Sequence, residues 1–168
     1  PEPTIVNEKG GNMYKKIMVP LDGSELAECV LPHVEAFANQ CQIQTIVFVW
    51  VLEPVSPAIA GEYAISLEEM EKQENGQKNM ANQYLTEVAG RLKTGGTTFK
   101  TEVLIGRVAD KLTAYADNSD TDLILIATHG RSGVSRWVRG SVADRILRAA
   151  SVPVMMIRAP GSVSDKQV

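Results

Sequence analysis

Cysteine and histidine are scarce in this 168-residue chain, with two of each, and their scarcity narrows its chemistry. Cys29 and Cys41 fall around one predicted helix, a placement that suits reduced thiols better than a disulfide framework. With His33 and His129 alone, a structural zinc site lacks ligands. No apolar run is long enough to span a bilayer and no charged-then-apolar start resembles a secretory signal, so the expected location is the cytoplasm. Positive charge is not in excess either. The net charge of −3 and a pI near 5.5 argue against a general nucleic-acid binder and confine any anion site to a local patch.

Catalytic signatures are missing as well. There is no Gly-x-x-x-x-Gly-Lys-Ser/Thr, which excludes the P-loop enzymes, and no Gly-x-Gly-x-x-Gly after the first strand, which removes the usual dinucleotide fingerprint. Ser132 is followed directly by Gly133, so no Gly-x-Ser-x-Gly elbow exists, and neither histidine sits in a triad context. What the sequence supports is binding without an evident catalytic base.

What is present describes one globular domain, with 44% hydrophobic and 22% charged residues. Strand and helix signals alternate from Lys15 onward. Lys15 to Leu21 is a short apolar run ending at Asp22-Gly23-Ser24; Leu26, Val30, Val34, Phe37 and Cys41 then recur at helical spacing, with Pro32 expected to kink that helix. Ile43 to Leu52 is apolar on both faces, as in a strand covered by helices on each side. Glu53 to Ile65, with three breakers, reads as a connection that is either a lid or a spacer. Ser66 and Glu69 form a capping box for a second helix marked by Leu67, Met70, Met80, Tyr84, Leu85, Val88 and Leu92, with Asn75-Gly76 a candidate interruption. Thr97 to Ile105, Leu123 to Ala127 and Val152 to Ile157 supply three more strands around helices through Val108 to Tyr115 and from Ser141. The fold class expected is α/β, a single doubly wound five-stranded parallel sheet with helices on both faces. Residues 1–12 and 159–168 read as untethered segments flanking a domain over 13–158. A chain opening on Pro1 is not expected to show its original start, and Met13 is a candidate initiator.

The most informative stretch runs from Ala127 to Ser141. Gly130, Gly133 and Gly140 allow backbone N–H groups to approach a ligand, and a helix opening at Ser141 offers unpaired N–H groups and a positive dipole end. Such sheets bind ligands beyond the carboxyl ends of their strands, where the strand order reverses. Asp22, past the first strand, is either a ribose- or metal-holding carboxylate or a helix cap assisted by Glu25. Arg131, Arg136 and Arg139 are either phosphate-neutralising or solvated. Ser141 serves as an N-cap with or without a ligand, His129 either donates to a ligand or packs the strand end, and Trp50 and Trp137 read most simply as core or flap residues, with a stacking role the weaker option.

Three stretches together resemble the universal stress protein family, in its single-domain ATP-binding type: Ile17 to Ser24, Ala127-x2-Gly130-x9-Gly140-Ser141, and Ala150 to Ile157. The resemblance implies strand order 3-2-1-4-5 and ATP, with Mg²⁺, as ligand. It implies that Asp22 contacts the ribose, Pro20 and Leu21 the adenine side and Val51 the adenine, while Gly130, Gly140, Ser141 and Val142 surround the phosphates, with Ala127 and Arg131 counted in the site. It further implies a nucleotide-dependent stress sensor or regulator with at most slow ATP hydrolysis, and a homodimer built through the fifth strand, where Val154, Met155, Met156 and Ile157 are apolar in succession. Ala127 departs from the family pattern, which has glycine there. An extended backbone would tolerate the methyl group; a positive φ or tight phosphate approach would not. The alternatives are a dimeric interaction protein of the same fold that binds no nucleotide, and a slow adenine-nucleotide hydrolase or nucleotidyl transferase.

Overall fold

The computed structural model describes residues 13–54, 66–128 and 142–158. Among these, strands β1 (Lys16–Pro20), β2 (Thr45–Leu52), β3 (Thr98–Ile105), β4 (Leu123–Thr128) and β5 (Val154–Arg158) alternate with helices α1 (Glu25–Glu28), α2 (Leu31–Gln40), α3 (Leu67–Arg91), α4 (Val108–Asn118) and α5 (Val142–Ala149). The strands form one parallel sheet in the order β3-β2-β1-β4-β5, the doubly wound arrangement expected.

The pleat sends successive residues to opposite faces, and both faces are covered. Ile17, Val19, Ile46, Phe48, Leu123 and Leu125 enter one core beneath α2 and α3. Met18, Val47, Val49, Ile124 and Ile126 enter a second beneath α4 and α5. This double burial is why β1, β2 and β4 read as nearly unbroken apolar runs. At one edge, β3 breaks its apolar pattern with exposed Lys100 and Glu102; at the other, β5 leaves Met155 and Met156 each 36% exposed.

Two helices differ from expectation for identifiable reasons. The periodic stretch from Leu26 to Cys41 is two helices rather than one kinked one, because Pro32 occupies the first turn of α2, where a missing N–H costs nothing. The second helix runs through Asn75-Gly76 without a break, started by the reciprocal Ser66–Glu69 capping box and bridged across the glycine by a Lys78–Glu74 ion pair of 2.8 Å. A mid-helix glycine costs about 1 kcal/mol against alanine, too little to end a capped helix of this length. The face assigned to α3 needs correction too. Leu67 and Met80 are 81% and 72% exposed, whereas Leu85 and Val88 are buried as expected and Ala81 joins them in anchoring the helix.

Candidate functional site

The sheet opens at the carboxyl ends of β1 and β4, and Pro20 is the reason. Leu21 N–H donates to Val49 O at 3.0 Å, so odd-numbered residues of β1 point their N–H groups at β2 and even-numbered ones point at β4. Position 20 therefore faces β4 with no hydrogen to give. Pairing between β1 and β2 covers five residue pairs, through Pro20↔Val49, whereas pairing between β1 and β4 stops after Ile17↔Leu123 and Met18↔Ile124. A proline inside a central sheet thus sits where the ladder ends and the strand order reverses.

Beyond Pro20 the chain turns through Asp22 and Gly23. Ser24 is the N-cap of α1, its Oγ accepting from Ala27 N–H at 3.1 Å. Asp22 Oδ1 in turn accepts from Ser24 N–H at 3.0 Å and Ser24 Oγ at 2.6 Å. Asp22 is exposed, and its Oδ2 makes no hydrogen bond among the described residues. One oxygen braces the turn and the other remains available. Because α1 packs against β4, the Asp22 turn and the end of β4 share one side of the sheet opening.

Next to this turn lies a cavity of about 640 Å³ between the end of β2 and α3. Its walls include Gly23, Trp50, Val51 and, from one face of α3, Met80, Ala81 and Tyr84. The Trp50 and Tyr84 rings meet edge to face, centroids 5.2 Å apart and planes at 88°. Tyr84 Oη donates to Glu28 Oε1 at 2.8 Å, and Arg91 approaches that same oxygen at 2.9 Å. Burial alone would raise the Glu28 carboxyl, but hydrogen bonds from Arg91 and Tyr84 and the Arg91 charge outweigh it and hold the group below its ordinary value. Burial, with the Glu28 carboxylate beside it, pushes the Tyr84 phenol above its ordinary value.

The expected site residues divide three ways. Pro20, Asp22 and Val51 stand at the carboxyl ends of β1 and β2, with Val51 lining the cavity. Leu21 follows Pro20 but turns its side chain into the core, 4% exposed, leaving its backbone to the turn. Ala127 lies inside β4, paired with Ile157, and Val142 is the exposed first residue of α5. Gly130, Arg131, Gly140 and Ser141, with His129, Gly133, Arg136, Trp137 and Arg139, lie outside the described residues. The α3 wall was not anticipated as part of a site. Its only sequence signal is the spacing of Gln77, Met80, Ala81 and Tyr84 along one helical face, and a core stripe looks the same. Among the described residues, no group of three or more His, Cys, Asp or Glu is arranged to hold a metal, and no helix is long and apolar enough to cross a membrane.

The family model described as "Universal stress protein family" matches residues 13–158. The chain belongs to the universal stress protein family. Its similarity to universal stress protein MJ0531 of Methanocaldococcus jannaschii is 30% identity over 155 residues, covering 90% of this chain and 86% of that protein. Among solved structures, the protein MJ0577 aligns with a TM-score of 0.71 at 23% identity, covering 89% of this chain and 99% of that one. A universal stress protein crystallised in complex with cAMP aligns with a TM-score of 0.60 at 21% identity, covering 86% of this chain and 97% of that one.

Proposed function

We propose that this chain binds an adenine nucleotide across the carboxyl ends of β1, β2 and β4 and works as a nucleotide-dependent regulator in the cytoplasm, with ATP carrying Mg²⁺ as its ligand. One observation carries the reading: the sheet opens beside Pro20, and Asp22, whose Oδ2 makes no hydrogen bond among the described residues, follows directly at that opening, next to a cavity. In this reading Asp22 accepts a hydrogen bond from the ribose, the Pro20-Leu21 backbone and Val51 flank the base, and Ala127, Gly130, Arg131, Gly140, Ser141 and Val142 surround the phosphates. The cAMP bound by a protein of the same fold supports the ligand class.

The residues suit a nucleotide that brings its own cation. A magnesium ion prefers phosphate oxygens, waters and one or two carboxylates to an all-protein cage, which agrees with the lack of a clustered donor set among the described residues. Turnover is expected to be slow or absent. Calorimetric and thermal titrations of the full chain with ATP and Mg²⁺ test the reading. At a ligand concentration 100 times Kd, linkage adds about 2.7 kcal/mol, a rise in Tm of roughly 5–10 °C for a domain of this size. No heat and no shift would reject it.

The second reading, a dimeric interaction protein without nucleotide, draws on the exposed Met155 and Met156 at the β5 edge. Denaturing protein purified without added nucleotide and assaying the supernatant for adenine separates the two. Stoichiometric adenine supports the first, and none, together with a null titration, supports the second.

A further inference from the structure

We propose that Trp50 is the wall against which the base of the bound nucleotide packs, selecting a purine by contact area, and that Tyr84, Glu28 and Arg91 hold the indole in position. This rests on the nucleotide reading above and assigns to it residues that the family motifs do not contain.

Trp50 follows from the β2 register. Phe48 faces the core beneath α3, so Trp50, two residues on, emerges on the same face at the point where the sheet ends and the cavity begins. The indole is constrained on two sides. A β-carbon built on Gly23 would lie 2.6 Å from Trp50 Cη2 and 3.1 Å from Cζ3, so the six-membered ring occupies the space that the missing side chain leaves. Tyr84 packs against the indole edge to face, and Tyr84 is itself tied through its hydroxyl to Glu28, which Arg91 clamps.

A chain of contacts therefore runs from α3 through Glu28 and Tyr84 to one indole at the cavity. Trp50 and Tyr84 are partly buried at the margin of the core beneath α3, so the same contacts that pack the core fix the indole where it borders the cavity. The chemistry of the walls says which end of a nucleotide belongs here. Met80 and Ala81 are apolar, Val51 reaches the cavity from the opposite face of β2, and Glu53 also lines it, while Asp22 adjoins Gly23. Acidic groups repel phosphates, and apolar surface with an indole favours a flat heterocycle. A two-ring base gains more contact than a one-ring base, which predicts preference for ATP over UTP.

Calorimetry of the full chain with ATP, UTP and inorganic triphosphate, on wild type and Trp50→Ala, tests this. Loss of one base–aromatic contact is expected to weaken ATP binding about tenfold or more and to remove the preference over UTP, while triphosphate affinity changes less than about twofold. In a Trp137→Phe background, where Trp50 is the one remaining tryptophan, ATP should also quench the emission. Wild type that binds ATP, with Trp50→Ala binding equally well, would overturn the role of Trp50 and leave the nucleotide reading standing. Wild type that binds none of the three would overturn both.

Should Trp50→Ala fail to fold, Trp50→Leu keeps an apolar side chain and is judged by the same affinity ratios. Tyr84→Phe keeps the ring and removes the tether. It is expected to weaken ATP binding severalfold while leaving triphosphate affinity within about twofold; an unchanged ATP affinity would overturn the positioning role.

Discussion

Gly23 and Trp50 are matched surfaces: the indole Cη2 lies 2.6 Å from where a β-carbon on Gly23 would be, and Gly23 has a φ of +78° that other residues rarely adopt. Replacing this glycine thus imposes backbone strain and a displaced ring together. Gly23→Ala should destabilise the fold by about 2–5 kcal/mol, because a left-handed alanine costs about 1–2 kcal/mol and an overpacked contact adds about 1–3. Urea denaturation measures the loss, and a shifted Trp50 emission would show that the ring moved. Wild-type stability in this variant would mean that the turn rearranges freely, and the bracing of the indole would then be weak.

Glu28 gives the fold an acid-sensitive joint. Its carboxyl is lowered from 4.5, so the folded state binds its proton less readily than the unfolded chain. The stabilisation is therefore fully present above the ordinary carboxylate range and is lost as pH falls through the lowered value. Wild-type stability should drop as pH falls below about 4.5 more steeply than that of Glu28→Gln, which has no proton to take up at this position. Chemical denaturation across that window is the measurement. Parallel pH profiles for the two proteins would show that the Arg91 and Tyr84 bonds do not distinguish folded from unfolded chain.

The β5 edge carries the dimer expectation. Val154 to Ile157 presents no charge, and Met155 and Met156 are partly exposed where the sheet has no further strand among the described residues. Lysines on an edge strand prevent its pairing with another copy. Met155→Lys combined with Met156→Lys is expected to convert a dimer to a monomer in sedimentation at micromolar concentration, with the far-ultraviolet spectrum retained. A variant that sediments as wild type would place any self-association elsewhere.

Much of this architecture was legible in the sequence, and the misses share a cause. The apolar runs of β1, β2 and β4 announced a sheet covered on both faces, and Ser66 with Glu69 marked the start of α3 because capping is local chemistry. The end of β1 was legible to within one residue from the Asp22-Gly23-Ser24 turn, while the part Pro20 plays in ending the ladder to β4 was not. The break between α1 and α2 was hidden because both helices bury the same face, so the apolar spacing passes through the break unaltered. The cavity wall was hidden for a related reason. Whether Met80 and Tyr84 meet a core or a cavity depends on how far α3 extends past the sheet, and no local pattern records that.

Ala127 stands where the family motif has its first glycine, and its backbone has the extended conformation of a strand residue. The residue lies within β4, paired in register with Ile157, and Gln42 and Asp120 are the non-glycine residues of positive φ among those described. Its conformation is thus one that alanine adopts without strain, and a glycine is not required there for backbone geometry. Its side chain also packs against the core beneath α3. Ala127→Gly should therefore remove packing and increase the freedom of the unfolded chain, lowering stability by about 0.5–1 kcal/mol. The methyl group would hinder a ligand only if phosphate backbone contact at this position were tight. The expected result is an ATP affinity within about twofold of wild type alongside a lower denaturation midpoint, since a factor of two is only about 0.4 kcal/mol. A tenfold gain in affinity would show instead that the methyl group does crowd the phosphates, and that this chain departs from its relatives at the point of ligand contact.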